Sequence, residues 1–332
     1  MRYKDAGVDM DAAEALKKYI GPLAKSTFDS NVISDVGLFG SLYSLKGYKD
    51  PVLVASCDGV GTKLTVARMV GRWDTVGTDI VNHCVNDILC QGARPLFFLD
   101  YLAASKFPRA VVEQVVTGLA RACRRAGCAL VGGETAIMPG WYRTDDVDLV
   151  GFVVGVAERK KLVDKTRIQP GDVCIGLPSS GLHTNGYSLA RKVLFSKARL
   201  KPGSKVKGLR CPLGAELLQP HRSYFSEVFP LLDRLHGVAH ITGGGFYYNL
   251  ERLLPDEVSV VVHKRAWRPK RIFRLIQQLG NVPEDEMYRT FNMGMGMVLL
   301  APPRSVPALV RRIRNARVVG KVVRGTFGVA VI

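Results

Sequence analysis

The stretch Asp58-Gly59-Val60-Gly61-Thr62-Lys63 gathers a carboxylate, two glycines, a hydroxyl and an ammonium in one short segment. Those residue types suit a phosphate and its metal. Glycines let backbone N–H groups approach an anion, a carboxylate takes a hard cation, and an ammonium neutralises phosphate oxygens. The apolar run Val52-Leu53-Val54-Ala55 precedes the segment, which therefore reads as a strand end opening into a binding loop. The spacing fits neither common nucleotide loop. A P-loop ends in Gly-Lys-Ser/Thr, whereas Lys63 follows Thr62, and the dinucleotide fingerprint needs a third glycine where Leu64 stands. The plainer alternative is a tight strand-to-helix turn with a solvated lysine.

Read as a helix at about 100° per residue, the next segment puts Asp79, Asn82, His83, Asn86 and Asp87 on one arc. Ile80, Val81, Cys84, Val85, Ile88 and Leu89 fall on the other. Asp, Asn and His are poorer helix formers than the Lys, Arg, Glu and Gln of an ordinary solvent face, so the arc gives up local stability for oxygen ligands. With Asp58, the carboxylates Asp79 and Asp87 are expected to supply a Mg²⁺ cage. The competing reading is a surface helix whose polar residues carry no role.

Three more segments carry candidate chemistry. Gly132-Gly133-Glu134-Thr135 is a second strand end opening on glycines, with Glu134 a metal or ribose ligand or else a solvated loop carboxylate. Pro178 to Gly186 sets small residues, hydroxyls, Asn185 and His183 before a helix starting at Tyr187, an arrangement suited to an anion. His183 contacts a phosphate, moves a proton, or simply caps its own loop. The run Gly243-Gly244-Gly245 is costly to order and brings backbone against a ligand or against other backbone, ahead of a short helix at Tyr247. Met293, Met295 and Met297 alternate with glycines, as on a packed sheet face or a subunit contact. Ser/His/Asp, zinc and haem signatures are missing from the sequence.

These groups need elements to position them. Apolar strand patterns at 51–57, 95–101, 128–131, 148–157, 172–177, 258–263, 291–300 and 317–323 alternate with helical patterns at 10–20, 62–71, 78–91, 108–126, 187–196, 214–234, 268–279 and 304–315. The alternation predicts an α/β or α+β fold. Pro108 and Gly127 bracket one helix. At 332 residues the chain exceeds one ordinary core, and the polar stretch Glu158 to Gly171 separates domains expected at 1–165 and 170–332. No repeat of solenoid period is visible.

Composition narrows the class. Apolar residues make up 47% of the chain, enough for packed cores, and no run approaches the roughly 20 residues of a membrane span. With no signal-peptide pattern at Met1, a soluble, cytoplasmic protein is expected. The seven cysteines are odd in number and lack a Cys-x-x-Cys pair, so reduced core thiols are expected. Lys and Arg exceed Asp and Glu by 47 to 29, a net charge of +18 that attracts polyanions. The excess gathers at Lys264 to Arg274 and Arg311 to Arg317 without the aromatic or zinc motifs of a specific nucleic-acid reader.

Tyr3 to Asp9, Asp58 to Lys63, Val85-Asn86-Asp87, Pro95 to Tyr101, Gly132 to Ala136, Ser180 to Leu189 and His240 to Phe246 together resemble the phosphoribosylformylglycinamidine cyclo-ligase family, also called aminoimidazole ribonucleotide synthetases. The likeness runs in order over nearly the whole chain. It implies ATP-dependent cyclisation of formylglycinamidine ribonucleotide in de novo purine synthesis, through an iminophosphate. It also implies a homodimer whose N-terminal domains share a β-barrel, a C-terminal α/β sandwich-like domain, and ATP with Mg²⁺ as cofactors. On the matching positions, Asp58 and Asp87 hold metal. Gly59, Gly61, Thr62, Lys63, Asp79, Asn82 and Glu134 join them around ATP. Lys25 and His183 take catalytic roles, and Gly243, Gly244 and Gly245 hold the substrate phosphate. Leu38, Ile137 and Glu251 depart from the family pattern. Rival readings are another ATP-using member of the superfamily, such as selenophosphate synthetase or thiamine-phosphate kinase, and a basic nucleotide- or RNA-binding protein without catalysis.

Overall fold

A computed structural model describes every residue except Val8, Asp9, Leu38 and Phe107, and every side chain except theirs and those of Tyr3, Lys4 and residues 10–13. The end of the Tyr3 to Asp9 motif and the Leu38 departure therefore lie outside the described residues. The chain forms two compact units, one of residues 1–88 with 93–159 and one of residues 89–92 with 160–332.

The first unit holds α1 (Met10–Lys25), β1 (Pro51–Gly59), α2 (Lys63–Val70), α3 (Asp74–Cys90, its last two residues grouping with the second unit), β2 (Arg94–Ala104), α4 (Arg109–Ala126), β3 (Ala129–Ile137) and β4 (Val147–Glu158). Its sheet runs β1-β4-β2-β3, antiparallel except for the parallel β2·β3 pair. Glycines bring the helices close. A Cβ on Gly151 would strike Phe98 and Ile80, and one on Gly155 would strike Ile88, so two bare positions on β4 seat α3 against the sheet. Gly77 of α3 and Gly118 of α4 would each collide with the other helix's backbone if they carried a Cβ. Helix α4 starts after Pro108 and ends on Gly127 (φ +63), as its punctuation predicts. The outer face of the sheet is less covered: Leu53 is 61% exposed and Phe152 38%.

The second unit contains β5 (Val173–Pro178), α5 (Tyr187–Arg191), α6 (Leu213–Leu217), α7 (Phe225–Val228), β6 (Gly237–His240), α8 (Gly245–Glu251), β7 (Val258–Val262), α9 (Arg271–Gly280), α10 (Glu284–Thr290), β8 (Met295–Ala301), α11 (Val306–Arg312), β9 (Arg317–Arg324) and β10 (Val329–Val331). Its six-stranded sheet has the order β10-β7-β9-β5-β8-β6, with only β10·β7 parallel. The fold is a mixed, largely antiparallel α+β arrangement. Its core gathers Ile175, Leu177, Tyr224, Val238, Met297 and Leu299.

Several local expectations change. The helix expected over 214–234 is broken at Gln219-Pro220, where proline's missing N–H stops an internal helix, and only α6, α7 and a 3₁₀ turn (Phe229–Arg234) remain. Strand β3 continues through Gly132 and Gly133 to Ile137 instead of ending at 131, because parallel pairing with β2 holds these glycines in the sheet. The strand expected from 291 begins at Met295, after the left-handed pair Met293 and Gly294. Short β6, β10 and α10 carry too little periodicity to be read from sequence. Met293, Met295 and Met297 are buried, as on a packed sheet face. All seven cysteines are free thiols, five of them buried.

Candidate active site

In the first unit, Asp58 at the end of β1 meets α3. His83 Nε2 lies 2.9 Å from Asp58 Oδ2 and 3.5 Å from Asp87 Oδ2. Ser56 Oγ donates to Asp87 Oδ2 at 3.1 Å, and the Gly59 N–H donates to Asp58 Oδ1 at 2.6 Å. Alternation along β1 puts Ser56 and Asp58 on the face toward α3, and the i,i+4 spacing of His83 and Asp87 brings both to that strand. The imidazole is buried, while the Asp58 and Asp87 side chains keep 44% and 29% exposure. Burial pushes the Asp58 carboxyl up, but the His83 bond and charge and the Gly59 N–H together hold it below the ordinary value. Burial likewise pulls His83 down, yet the Asp58 bond and the neighbouring carboxylates hold it above the ordinary imidazole value. The result is two oxygen-rich carboxylates, pinned by one imidazole and open to solvent, a donor set that suits Mg²⁺.

Lys63 is placed differently from a phosphate-facing lysine. As the first residue of α2 it turns inward, fully buried, with Nζ 2.7 Å from the equally buried Asp79 Oδ2. Burial depresses the Lys63 ammonium against the opposing pull of Asp79. The polar arc of α3 is thus divided: Asp79 and Asn86 are buried, and Asn82 and Asp87 partly exposed. Thr62 precedes α2, and Gly61 makes the turn with φ +66.

A carboxylate without an assigned role joins the row of Asp58. Gly151 of β4 pairs with Asp58 on one side and Asp100 of β2 on the other, and Asp100 pairs with Gly133 of β3. Burial pushes the Asp100 carboxyl up to about 7. Its signal in the sequence was the alternation of Phe98, Asp100 and Leu102, two large apolar residues facing inward on either side of an acid. Glu134 pairs with Tyr101, one position past that row, so its side chain takes the opposite face and is not brought to Asp58. Lys25 ends α1, exposed and 2.8 Å from Asp35.

In the second unit, the His183 loop and the triple-glycine loop come together. His183 adopts φ +63 and is buried, and its Nε2 accepts the Ser180 N–H at 3.2 Å. A Cβ on Gly296 of β8 would strike both the His183 ring and the Tyr224 hydroxyl, so that glycine makes room for the histidine. Asn249 Nδ2 donates to the carbonyls of Gly243 (3.1 Å) and Gly245 (2.7 Å), pinning the glycine loop, and a Cβ on Gly243 would sit 3.1 Å from Asn185 Oδ1. Gly245 can carry no Cβ because the Tyr288 carbonyl occupies its place. His221, from the aperiodic segment between α6 and α7, bonds His240 at 3.0 Å. No periodicity or motif singled it out.

Comparison with known proteins follows the same division. The family model described as AIR synthase related protein, N-terminal domain, matches residues 42–157, and the corresponding C-terminal domain model matches residues 169–332. A phosphoribosylformylglycinamidine cyclo-ligase of Geotalea daltonii is 49% identical over 98% of this chain and 96% of its own length. One of Pseudothermotoga lettingae is 48% identical over 99% of each. Among solved structures, thiamine-monophosphate kinase from Stenotrophomonas maltophilia superposes with a TM-score of 0.70 at 17% identity over 93% of this chain and 94% of that one. The hydrogenase maturation protein HypE in complex with ATP gives 0.63 at 16% identity, over 94% and 87%. At such identities these two show a shared fold alone. With both domain models matched in order and near-full-length relatives close to half identical, this chain belongs to the phosphoribosylformylglycinamidine cyclo-ligase family.

Proposed function

We infer that this chain is an ATP-dependent cyclo-ligase of de novo purine biosynthesis, converting formylglycinamidine ribonucleotide and ATP to aminoimidazole ribonucleotide, ADP and phosphate. The observation that carries the reading is the full-length similarity to cyclo-ligases in a chain whose Asp58 and Asp87 converge on His83 beside a glycine loop. A formamide carbon is a weak electrophile and its oxygen a poor leaving group. Transfer of the γ-phosphoryl group to that oxygen makes it leave as phosphate when the amidine nitrogen attacks and forms the ring C–N bond. Ring closure is intramolecular, so the protein's task is to align the groups and keep water from the iminophosphate.

The chain's own residues divide that task. Asp58 and Asp87 present their oxygens, with His83 fixing both and the Gly59 N–H holding Asp58, and the amide of Gly61 and the groups of Thr62 and Asn82 line the phosphate end of the nucleotide. Mg²⁺ held by the two carboxylates would screen phosphate charge. Lys63 and Asp79 brace the loop from behind as a buried pair. Lys25 reaches a phosphate by exchanging its exposed partner Asp35, a weak pairing in solvent. His183 moves the proton of ring closure, and Gly243 to Gly245 hold the substrate phosphate. Glu134, on the opposite sheet face, is left out of this set. That outer face, bearing Leu53 and Phe152, supports a homodimer built sheet to sheet. Among the described residues no helix is long and apolar enough to cross a membrane, and the protein is assigned to the cytoplasm with the rest of its pathway.

The test is incubation with ATP, Mg²⁺ and formylglycinamidine ribonucleotide, with the imidazole product and phosphate quantified at high salt. Product in one-to-one ratio with phosphate is expected, and salt-resistant turnover excludes a purely electrostatic polyanion binder. Asp87→Asn is expected to lower turnover about 10–100-fold and raise the Mg²⁺ requirement, with circular dichroism unchanged. No product from folded protein would move the chain to another ATP-using member of the superfamily.

A further inference from the structure

Three histidines of the second unit are packed together and almost wholly buried: His183, His221 and His240. His221 uses every part of its ring. Its Nε2 lies 3.0 Å from His240 Nε2, its Nδ1 lies 3.4 Å from Thr184 Oγ1, and its face stacks on His183 with centroids 3.9 Å apart and planes 22° from parallel. We infer that His221 is the positioning residue for His183: its bonds to His240, with which it shares a single proton, and to Thr184 fix the ring plane against which His183 rests. The inference rests on the assignment of His183 above.

The contact between the two Nε2 atoms fixes the proton count. At 3.0 Å one nitrogen must donate and the other accept. Two protons between them would set two N–H donors against each other, and none would oppose two lone pairs. One proton therefore bridges His221 and His240. While it resides on His240, His221 turns a neutral face to His183, and a proton arriving on His183 meets no neighbouring imidazolium there. His183 itself needs such a support. Its φ of +63 is a left-handed conformation that a side-chain-bearing residue holds only when its surroundings over-determine it, at a cost of order 1–3 kcal/mol. The Ser180 N–H donates to its Nε2, which places the proton of the neutral ring on Nδ1. His221 closes the other side. Because His240 leads directly into Ile241-Thr242-Gly243, the same imidazole also ties the His183 loop to the glycine loop.

A metal ion is the competing occupant, since the three rings offer nitrogens within 4.8 Å of one another. Rings stacked nearly parallel send their lone pairs side by side rather than toward one point, which favours the shared proton.

His221→Phe keeps a stacking ring and removes both nitrogen bonds, whereas His221→Gln returns a hydrogen-bonding amide. In His221→Phe we expect kcat to fall about tenfold or more with KM for the amidine nucleotide within about threefold, and His221→Gln to regain at least about threefold of that loss. In ¹⁵N-NMR of the parent, a through-hydrogen-bond coupling between the two Nε2 atoms is expected. Turnover of folded His221→Phe within about twofold of the parent overturns the inference, as do parallel losses of kcat and thermal midpoint in both variants. Stoichiometric Zn²⁺ retained through dialysis by the parent and lost in His221→Phe overturns the shared proton in favour of a metal. His183→Asn run alongside separates the readings. Near-parental turnover there removes the assignment of His183, whereas loss there with parental turnover in His221→Phe removes the role of His221 alone.

Discussion

Lys63 and Asp79 form an ion pair that solvent does not reach, at 2.7 Å with both side chains fully buried. Such a pair adds little net stability while intact, but removing one partner strands a charge, at about 3–5 kcal/mol. Lys63→Met should therefore lower the unfolding free energy measured in urea by that order, shifting the midpoint down, and adding Asp79→Leu should recover most of the loss. An unchanged midpoint in the single variant would refute the bracing role. Asp100 gives a second prediction. Its value near 7 lies above that of an unfolded carboxyl, so the folded chain binds this proton more tightly than the unfolded one. The stabilisation from that proton is complete below about pH 4 and is lost as the pH climbs through about 7. Asp100→Asn should flatten the fall in unfolding free energy between about pH 4 and pH 7, by roughly 1–3 kcal/mol after discounting for solvent screening at a partly exposed residue. Equal pH profiles for parent and variant would exclude Asp100 as the source.

Helix α3 carries most of the site, and its position depends on what its neighbours lack. Gly151 and Gly155 leave hollows for Ile80 and Ile88, and Gly77 crosses Gly118 at backbone contact. Gly77→Ala should separate α3 from α4 at a cost of about 1–3 kcal/mol, read as a lower thermal midpoint, and should shift His83 and Asp87 away from Asp58. Retention of parental Mg²⁺ affinity with a lowered midpoint would show that the strain relaxes through α4 instead. The helix itself was legible from sequence, because its apolar arc of Ile80, Cys84, Ile88 and their neighbours repeats at helical period. That Asp79 turns inward was not legible, because only the approach of Lys63 from α2 compensates a buried carboxylate. The C-terminal half of β3 is hidden for a similar reason: glycines end a strand in isolation but not beside a paired neighbour.

At the scale of the whole molecule, the outer face of the four-stranded sheet is the feature that asks for a partner. Leu53 at 61% exposure and Phe152 at 38% stand on adjacent strands, β1 and β4. Leu53→Glu combined with Phe152→Glu should convert the proposed dimer to a monomer in sedimentation velocity, with turnover lost if the nucleotide site needs the second copy. A monomeric parent at micromolar concentration would refute the sheet-to-sheet assembly. The net charge of +18 leaves arginines such as Arg311, Arg312, Arg314 and Arg317 exposed in the second unit, where charge alone speaks to non-specific association.

The sequence by itself determined that Asp58 and Asp87 would be available as acids near a glycine turn, since strand and helix periods are local and the chemistry of a side chain travels with it. It also determined the family, because ordered motifs over nearly the whole chain survive without knowledge of contacts. Only the tertiary structure decided that Lys63 turns inward to Asp79, that Glu134 takes the far face of its sheet, and that His221 joins His183 to His240. Each of those outcomes depends on which residue approaches from a distant segment, and burial gives such meetings their energetic weight.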